Sequence, residues 1–154
     1  MRITDFLTKE NVVVPLAGSG KEAVIRELCA RLAATGAIDA VEPLFEAAMS
    51  RERLGSTGIG DGVAIPHAKT RGVKKLTAAV GVAHGGVDFD AVDDQPVRLV
   101  FLLLAGEEAT AAHLKALARI SRLLKNTGFR DKAARAVDAD GLFDLVRTED
   151  EGLG

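Results

Sequence analysis

Three histidines, a single cysteine and an arginine-bearing helix end carry the reactive chemistry of this 154-residue chain, and His67 is set apart by what precedes it. Ser56-Thr57-Gly58-Ile59-Gly60-Asp61-Gly62 reads as a glycine-rich loop. Val63-Ala64-Ile65 is too short for a helix but suits a buried strand, and Pro66 stops the ladder because it has no N–H to give. His67 is then delivered, exposed, at the strand's carboxyl end, the edge where open α/β sheets place their ligand sites. An imidazole in that position is a nucleophile, its lone pair free above a pKa of about 6.5.

Rival chemistries fare worse. His67, His84 and His113 lack close ligand spacing such as H-x-x-x-H, and no cysteine pair assists them, so neither a metal site nor any other cofactor is predicted. His84 precedes Gly85-Gly86 and reads as a turn histidine. Gly18-Ser19-Gly20-Lys21 resembles a phosphate loop only superficially, because the G-x-x-x-x-G-K-[ST] spacing is absent and Glu22 stands where the hydroxyl belongs. Cys29, beside Leu28 and Leu32 in a helical pattern, reads as core filler, and one cysteine allows no intramolecular disulfide.

The elements that must position His67 follow from periodicity. Val12-Val13-Val14 is the first strand candidate, after a short docking segment at Ile3 to Leu7. Lys21 to Ala34 is a helix with Val24, Ile25, Leu28 and Leu32 inward and Gly36 as its C′ residue. A second helix, Val41 to Arg53, ends near Gly55 and carries Arg51 towards the glycine loop. There its planar guanidinium could chelate two oxygens of an anion, with Arg53 as the rival candidate and a solvated surface arginine as the bland one. Lys69 to Lys75 reads as a surface loop, Leu76 to Ala83 and Val97 to Leu104 as buried strands, and Gly85-Gly86 as the turn after the first of them. From Ala109 to Lys125 a long helix shows a stripe of Leu114, Leu117, Ala118, Ser121 and Leu124, with Lys115, Arg119 and Arg122 opposite as a solvated or partner-docking face. His113 lies in its first turn, facing inward, where a satisfied core histidine is the ordinary reading. Gly128 to Val137 and Gly141 to Arg147 read as shorter helices, and 149–154 as a frayed tail. Strands interleaved with helices predict a single α/β (α+β) domain over 1–148.

Residue by residue, Arg51-Glu52, Ser56-Thr57-Gly58-Ile59-Gly60 and Ala64-Ile65-Pro66-His67 resemble the active-site segment of type-2 IIA domains of the bacterial phosphoenolpyruvate-dependent phosphotransferase system. That family comprises fructose- and mannitol-specific domains and nitrogen-regulatory relatives. Phe89 to Val97 and His113-Leu114-Lys115-Ala116-Leu117 extend the resemblance over nearly the whole chain. It implies a mixed, largely parallel β-sheet flanked by helices on both faces. It also implies that His67 carries a phosphoryl group, that the arginine at position 51 lies beside it, and that His113 is a second histidine assisting the first.

The chemistry suits such a relay. Neutral imidazole accepts a phosphoryl group, and the resulting phosphoramidate keeps a high transfer potential, whereas serine would hold the group too tightly. The transition state spreads negative charge over the phosphoryl oxygens, so the protein's task is positioning and charge stabilisation, which Arg51 and a neutral His113 could share. The resemblance implies HPr or a paralogue as donor. It leaves two acceptors: a IIB domain of a fructose- or mannitol-type transporter, or a regulatory target whose binding follows the phosphorylation state. A degenerate binding module is the third possibility. A net charge of −2 gives no field for nucleic acid or anionic membrane. The longest apolar run, Leu99 to Ala105, is too short to insert into a bilayer, so a cytoplasmic protein is expected.

Overall fold

The computed structural model describes residues 1–154. Its frame is a six-stranded mixed sheet: β1 (Val12–Val13), β2 (Gly58–Gly60), β3 (Val63–Ala64), β4 (His67–Lys69), β5 (Thr77–Val87) and β6 (Val97–Ala105). The strand order is β1-β5-β6-β3-β2, with β4 also pairing β6. Three pairings, β1 with β5, β3 with β6 and β4 with β6, are parallel, and the longest, β5 with β6, is antiparallel.

From Leu99 onward β6 is buried on both faces, which is why Leu99 to Ala105 is an unbroken apolar run after the exposed Arg98. Val100, Leu102 and Leu104 enter one core, closed by α1 (Lys21–Ala34) and α2 (Val41–Leu54). Leu99, Phe101 and Leu103 enter the other, closed by α3 (Thr110–Leu123), α4 (Thr127–Ala134) and α5 (Ala139–Gly152). Helices thus cover both faces of one mixed sheet, as expected. α1 keeps its expected bounds because Gly36, at φ +82°, turns the chain into the left-handed region. Its N–H and that of Ala37 then bond the carbonyls of Ala33 and Leu32 in a Schellman closure. Ile3, Phe6 and Leu7 dock as the sequence suggests, all within the second core.

Five local expectations need correction. His67 does not hang beyond a strand end. It opens β4, which runs to Lys69 in register with Leu103, Leu104 and Ala105, so the expected surface loop begins one residue later, at Thr70. Pro66 interrupts the β3–β4 edge, yet its carbonyl still accepts from Leu103 N at 3.0 Å. Gly85-Gly86 is a bulge inside β5 rather than a turn: between Val82↔Leu99 and Val87↔Val97, β5 advances more residues than β6, and Gly86 takes φ +79° to absorb them. His84 therefore sits in a strand, bonded through Nε2 to Ala136 O at 2.7 Å.

The buried face of α3 is also rotated from the expected stripe. His113, Ala116, Ile120 and Leu123 are buried while Leu114 is 60% exposed. Arg119, placed on the solvated face, is instead held by Asp150, its Nε 2.5 Å from Oδ1. Asp150 explains the last correction. Its other oxygen accepts from Ile3 N at 2.8 Å, so 149–152 form the final turn of α5 rather than a frayed tail.

Candidate functional site

β4 is three residues long, and its alternation decides where its side chains go. Ala68 points into the core under α1 and α2. His67 and Lys69 leave by the opposite face, where the first turn of α3 brings His113. A cleft of about 400 Å³ opens between the last turns of α2 and the start of α3, lined by Arg51, His67, Lys69 and His113 among others. The two histidine rings lie 5.6 Å apart between centroids, tilted by 55°.

His67 Nδ1 lies 2.7 Å from the carbonyl oxygen of Ile65. A carbonyl only accepts, so Nδ1 carries the proton and the lone pair is left on Nε2. Burial is the main cause that lowers the pKa of His67; the Ile65 carbonyl opposes it, the Arg51 charge adds to the lowering, and Glu52 opposes it least. His113, 7% exposed, is likewise lowered by burial first, then by His67 and Lys69. Its Nε2 is buried without a hydrogen-bond partner in the protein, at a cost of about 1–3 kcal/mol.

Both rings are therefore neutral at ordinary pH. The rate at which Nε2 attacks an electrophile should stay level down through about pH 6.5 and fall only below it. A rate profile with its midpoint at or above the unperturbed histidine value would contradict the lowered pKa. The same shift has a stability consequence. The unfolded chain takes up protons first as the pH drops, so the native state loses stability from about pH 6.5 downward until the native rings themselves ionise.

Arg51 reaches the rim from α2, its Nη1 donating to Gly55 O at 2.9 Å. Arg53, the rival, turns to the surface, where Nη2 lies 3.9 Å from Glu46 Oε2. His84 lies elsewhere, outside the lining of the cleft.

Comparison with known proteins shows which family the chain belongs to. Residues 5–148 match the family model described as phosphoenolpyruvate-dependent sugar phosphotransferase system, EIIA 2. The chain belongs to that family. A nitrogen regulatory protein of Bradyrhizobium diazoefficiens is 40% identical over 147 residues, 95% of each chain. The fructose-specific EIIABC component of Bacillus subtilis is 38% identical over 98% of this chain, which spans only 24% of that longer protein. In structure, the nitrogen regulatory protein IIA-Ntr of Neisseria meningitidis superposes with a TM-score of 0.85 at 32% identity, covering 94% of this chain and 98% of that one. The family is one of phosphoryl relay, and this EIIA domain stands close to both its sugar-transport and its regulatory branches.

Two residues in or beside the cleft of this EIIA domain had no role assigned from the sequence alone. Glu52, 4% exposed, accepts from Thr57 N at 3.1 and 3.2 Å, from Thr57 Oγ1 at 2.6 Å and from Lys21 Nζ at 3.2 Å. It ties the end of α2, and with it Arg51, to the glycine-rich segment. The nucleotide-like loop before α1 is thereby accounted for. Lys21 is paired with Glu52 and Asp90, and Glu27 Oε1 accepts the Gly18 and Ala17 amides at 2.8 and 2.9 Å, so the chain's own carboxylates take the donors a phosphate would need. Lys69 is the second residue missed. Its signal was the i, i+2 spacing from His67, visible only once His67 is known to begin a strand.

Proposed function

We propose that this chain is a phosphocarrier in which residues 1–148 form the relay domain and His67 Nε2 takes a phosphoryl group from phospho-HPr or a paralogue. The single observation that carries the reading is the Ile65 carbonyl on Nδ1, which leaves the nucleophilic lone pair on Nε2 beside Arg51 and His113. In the transfer, the donor's N–P bond breaks with its electron pair staying on the donor nitrogen, and an Nε2–P bond forms. The proton stays on Nδ1, hydrogen-bonded to the Ile65 carbonyl, so the His67 ring gains the positive character that offsets the phosphoryl charge. Passing the group onward reverses these roles. No metal or cofactor is required, because Arg51 and the His113 N–H supply the charge stabilisation.

The acceptor is a IIB domain of a fructose- or mannitol-type transporter, and the relay works in the cytoplasm, where phosphoenolpyruvate is made. No helix is long and apolar enough to cross a membrane. Near-equal identity to the nitrogen regulatory relative supports a second reading, in which the phosphorylation state controls binding to a target protein without sugar transport. Incubation with phosphoenolpyruvate, Enzyme I and HPr should give an acid-labile, alkali-stable adduct. Discharge of that adduct by a fructose-type IIB domain favours transport. A stable adduct that changes binding to a target but is not drained by IIB favours regulation, and no adduct at all sinks both.

His113 assists without being the carrier. It is the fourth residue of α3, where the helix's positive end and burial both keep it neutral, and its unpartnered Nε2 can donate to a phosphoryl oxygen. His113→Ala should still accept the group on His67 but pass it in either direction roughly 10²-fold more slowly. His113→Gln should do better, because its amide can replace the donor. Rapid-quench transfer at the wild-type rate in His113→Ala would return this residue to a packed core histidine.

A further inference from the structure

Lys69 is the group in the cleft to which the relay chemistry above assigns no part. It follows His67 by two residues in β4, so the two side chains leave one face with their Cα atoms roughly 7 Å apart. The four-carbon stem of a lysine spans about 6 Å, enough to bring Nζ to a group carried on His67 Nε2. Lys69 Nζ instead donates to Thr110 Oγ1, at 2.9 Å, on the first residue of α3.

Most of this molecule's partnered cations meet carboxylates, while Arg31 and Arg130, away from the cleft, rest on neutral oxygens. Lys21, Arg53, Arg71, Lys74 and Arg119 all pair with carboxylates. Lys69 rests on a neutral hydroxyl, and Arg51, across the same cleft, on a neutral carbonyl. The buried Nε2 of His113, which lines the same cleft, has no partner in the protein. Two cations on weak acceptors and one unsatisfied ring nitrogen therefore converge on the space beside His67.

We propose that Lys69 is a phosphoryl ligand, held on Thr110 while His67 is unmodified and moving to a phosphoryl oxygen when His67 carries the group. The inference rests on the phosphocarrier reading. A phosphoryl dianion outcompetes a neutral hydroxyl, since charge-assisted hydrogen bonds are roughly twice as strong as neutral ones. Arg51 and Lys69 together match its two charges, and His113 adds a donor without adding charge. The exchange has a second effect: Thr110 Oγ1 loses its donor, so the first turn of α3, which carries the exposed Leu114, registers the state of His67.

The test compares wild type, Lys69→Met, Lys69→Arg and Thr110→Val as full chains, phosphorylated through phosphoenolpyruvate, Enzyme I and HPr. Phosphorus NMR follows the phosphoryl resonance against pH, and the exchange equilibrium with phospho-HPr is measured. Lys69→Met should shift that equilibrium towards phospho-HPr by about tenfold. It should also raise the pH at which the phosphoryl group takes its second charge, and Lys69→Arg should restore most of both. Thr110→Val should move the equilibrium the opposite way, because it frees Lys69 from its resting partner. Superimposable phosphorus titrations and equal equilibria for wild type and Lys69→Met overturn the role of Lys69 alone, as does a Thr110→Val shift in the same direction as Lys69→Met. A wild-type chain that takes up no phosphoryl group overturns the phosphocarrier reading with it.

Discussion

His67→Ala should take up no phosphoryl group from phospho-HPr, while circular dichroism and thermal unfolding stay close to wild type. The chemistry argues for total loss because no other side chain in the cleft can replace the nucleophile. His113 is buried to 7% exposure and lies a ring-to-ring distance of 5.6 Å from His67, and Arg51 and Lys69 serve as hydrogen-bond donors. The fold argues for tolerance, because the one hydrogen bond made by the His67 ring goes to the nearby Ile65 carbonyl and holds no other element in place. His84→Ala is the matched control. That ring is tied to Ala136 O on the far side of β5, so its loss should leave labelling intact. Radiolabel uptake and intact mass after short incubation separate the outcomes. Labelling of His67→Ala at the wild-type rate would remove this residue from the reaction, and loss of labelling in His84→Ala instead would put the carrier elsewhere.

How much of this was legible in the sequence depends on how local each cause is. The bounds of α1 were, because a periodic apolar face and a C′ glycine act within a few residues. The face of α3 was not. The expected stripe of Leu114, Leu117, Ala118, Ser121 and Leu124 runs about one residue off the buried His113, Ala116, Ile120 and Leu123, because a single helix's pattern does not say which of two adjoining stripes meets the sheet, and Leu114 is left exposed. Arg119 looks like any solvated arginine until Asp150 is seen to meet it, and Asp150 is ordered by Ile3, 147 positions away. Gly85-Gly86 carries the composition of a turn, and only the pairing of Val87 with Val97 shows that the strand continues through it. The site follows the same rule. The motif around His67 is contiguous and was readable, whereas the Nδ1 to Ile65 bond, the choice of Arg51 over Arg53 and the presence of Lys69 depend on where β4, α2 and α3 meet.

Arg51→Ala should lower the rate of phosphoryl transfer to His67 by ~10²–10³, equivalent to about 3–4 kcal/mol of transition-state stabilisation. Arg51 sits in the last turn of α2, and its present hydrogen bond is to the Gly55 carbonyl at 2.9 Å, a neutral acceptor that a phosphoryl oxygen can displace. The helix end that carries it does not depend on that bond. Glu52, one residue on, anchors the same turn through Thr57 and Lys21, so alanine at 51 removes the guanidinium while the backbone stays braced. The loss should therefore appear in the transfer rate, with midpoint of unfolding little changed. Arg51→Lys should recover only part of the rate: the charge returns, but the fork that engages two oxygens does not. The variant should also move the histidine itself. Arg51 is one of the charges that lower the His67 pKa, so Arg51→Ala should let that pKa rise towards its ordinary value and carry the acid limb of the rate profile to higher pH. Arg53→Ala, whose ion pair with Glu46 is exposed on both sides, should change neither quantity. Rapid-quench transfer and a ring-proton titration of His67 read the two effects separately. Equal rates for wild type and Arg51→Ala, or a slow Arg53→Ala, would assign the phosphoryl contact to the other arginine.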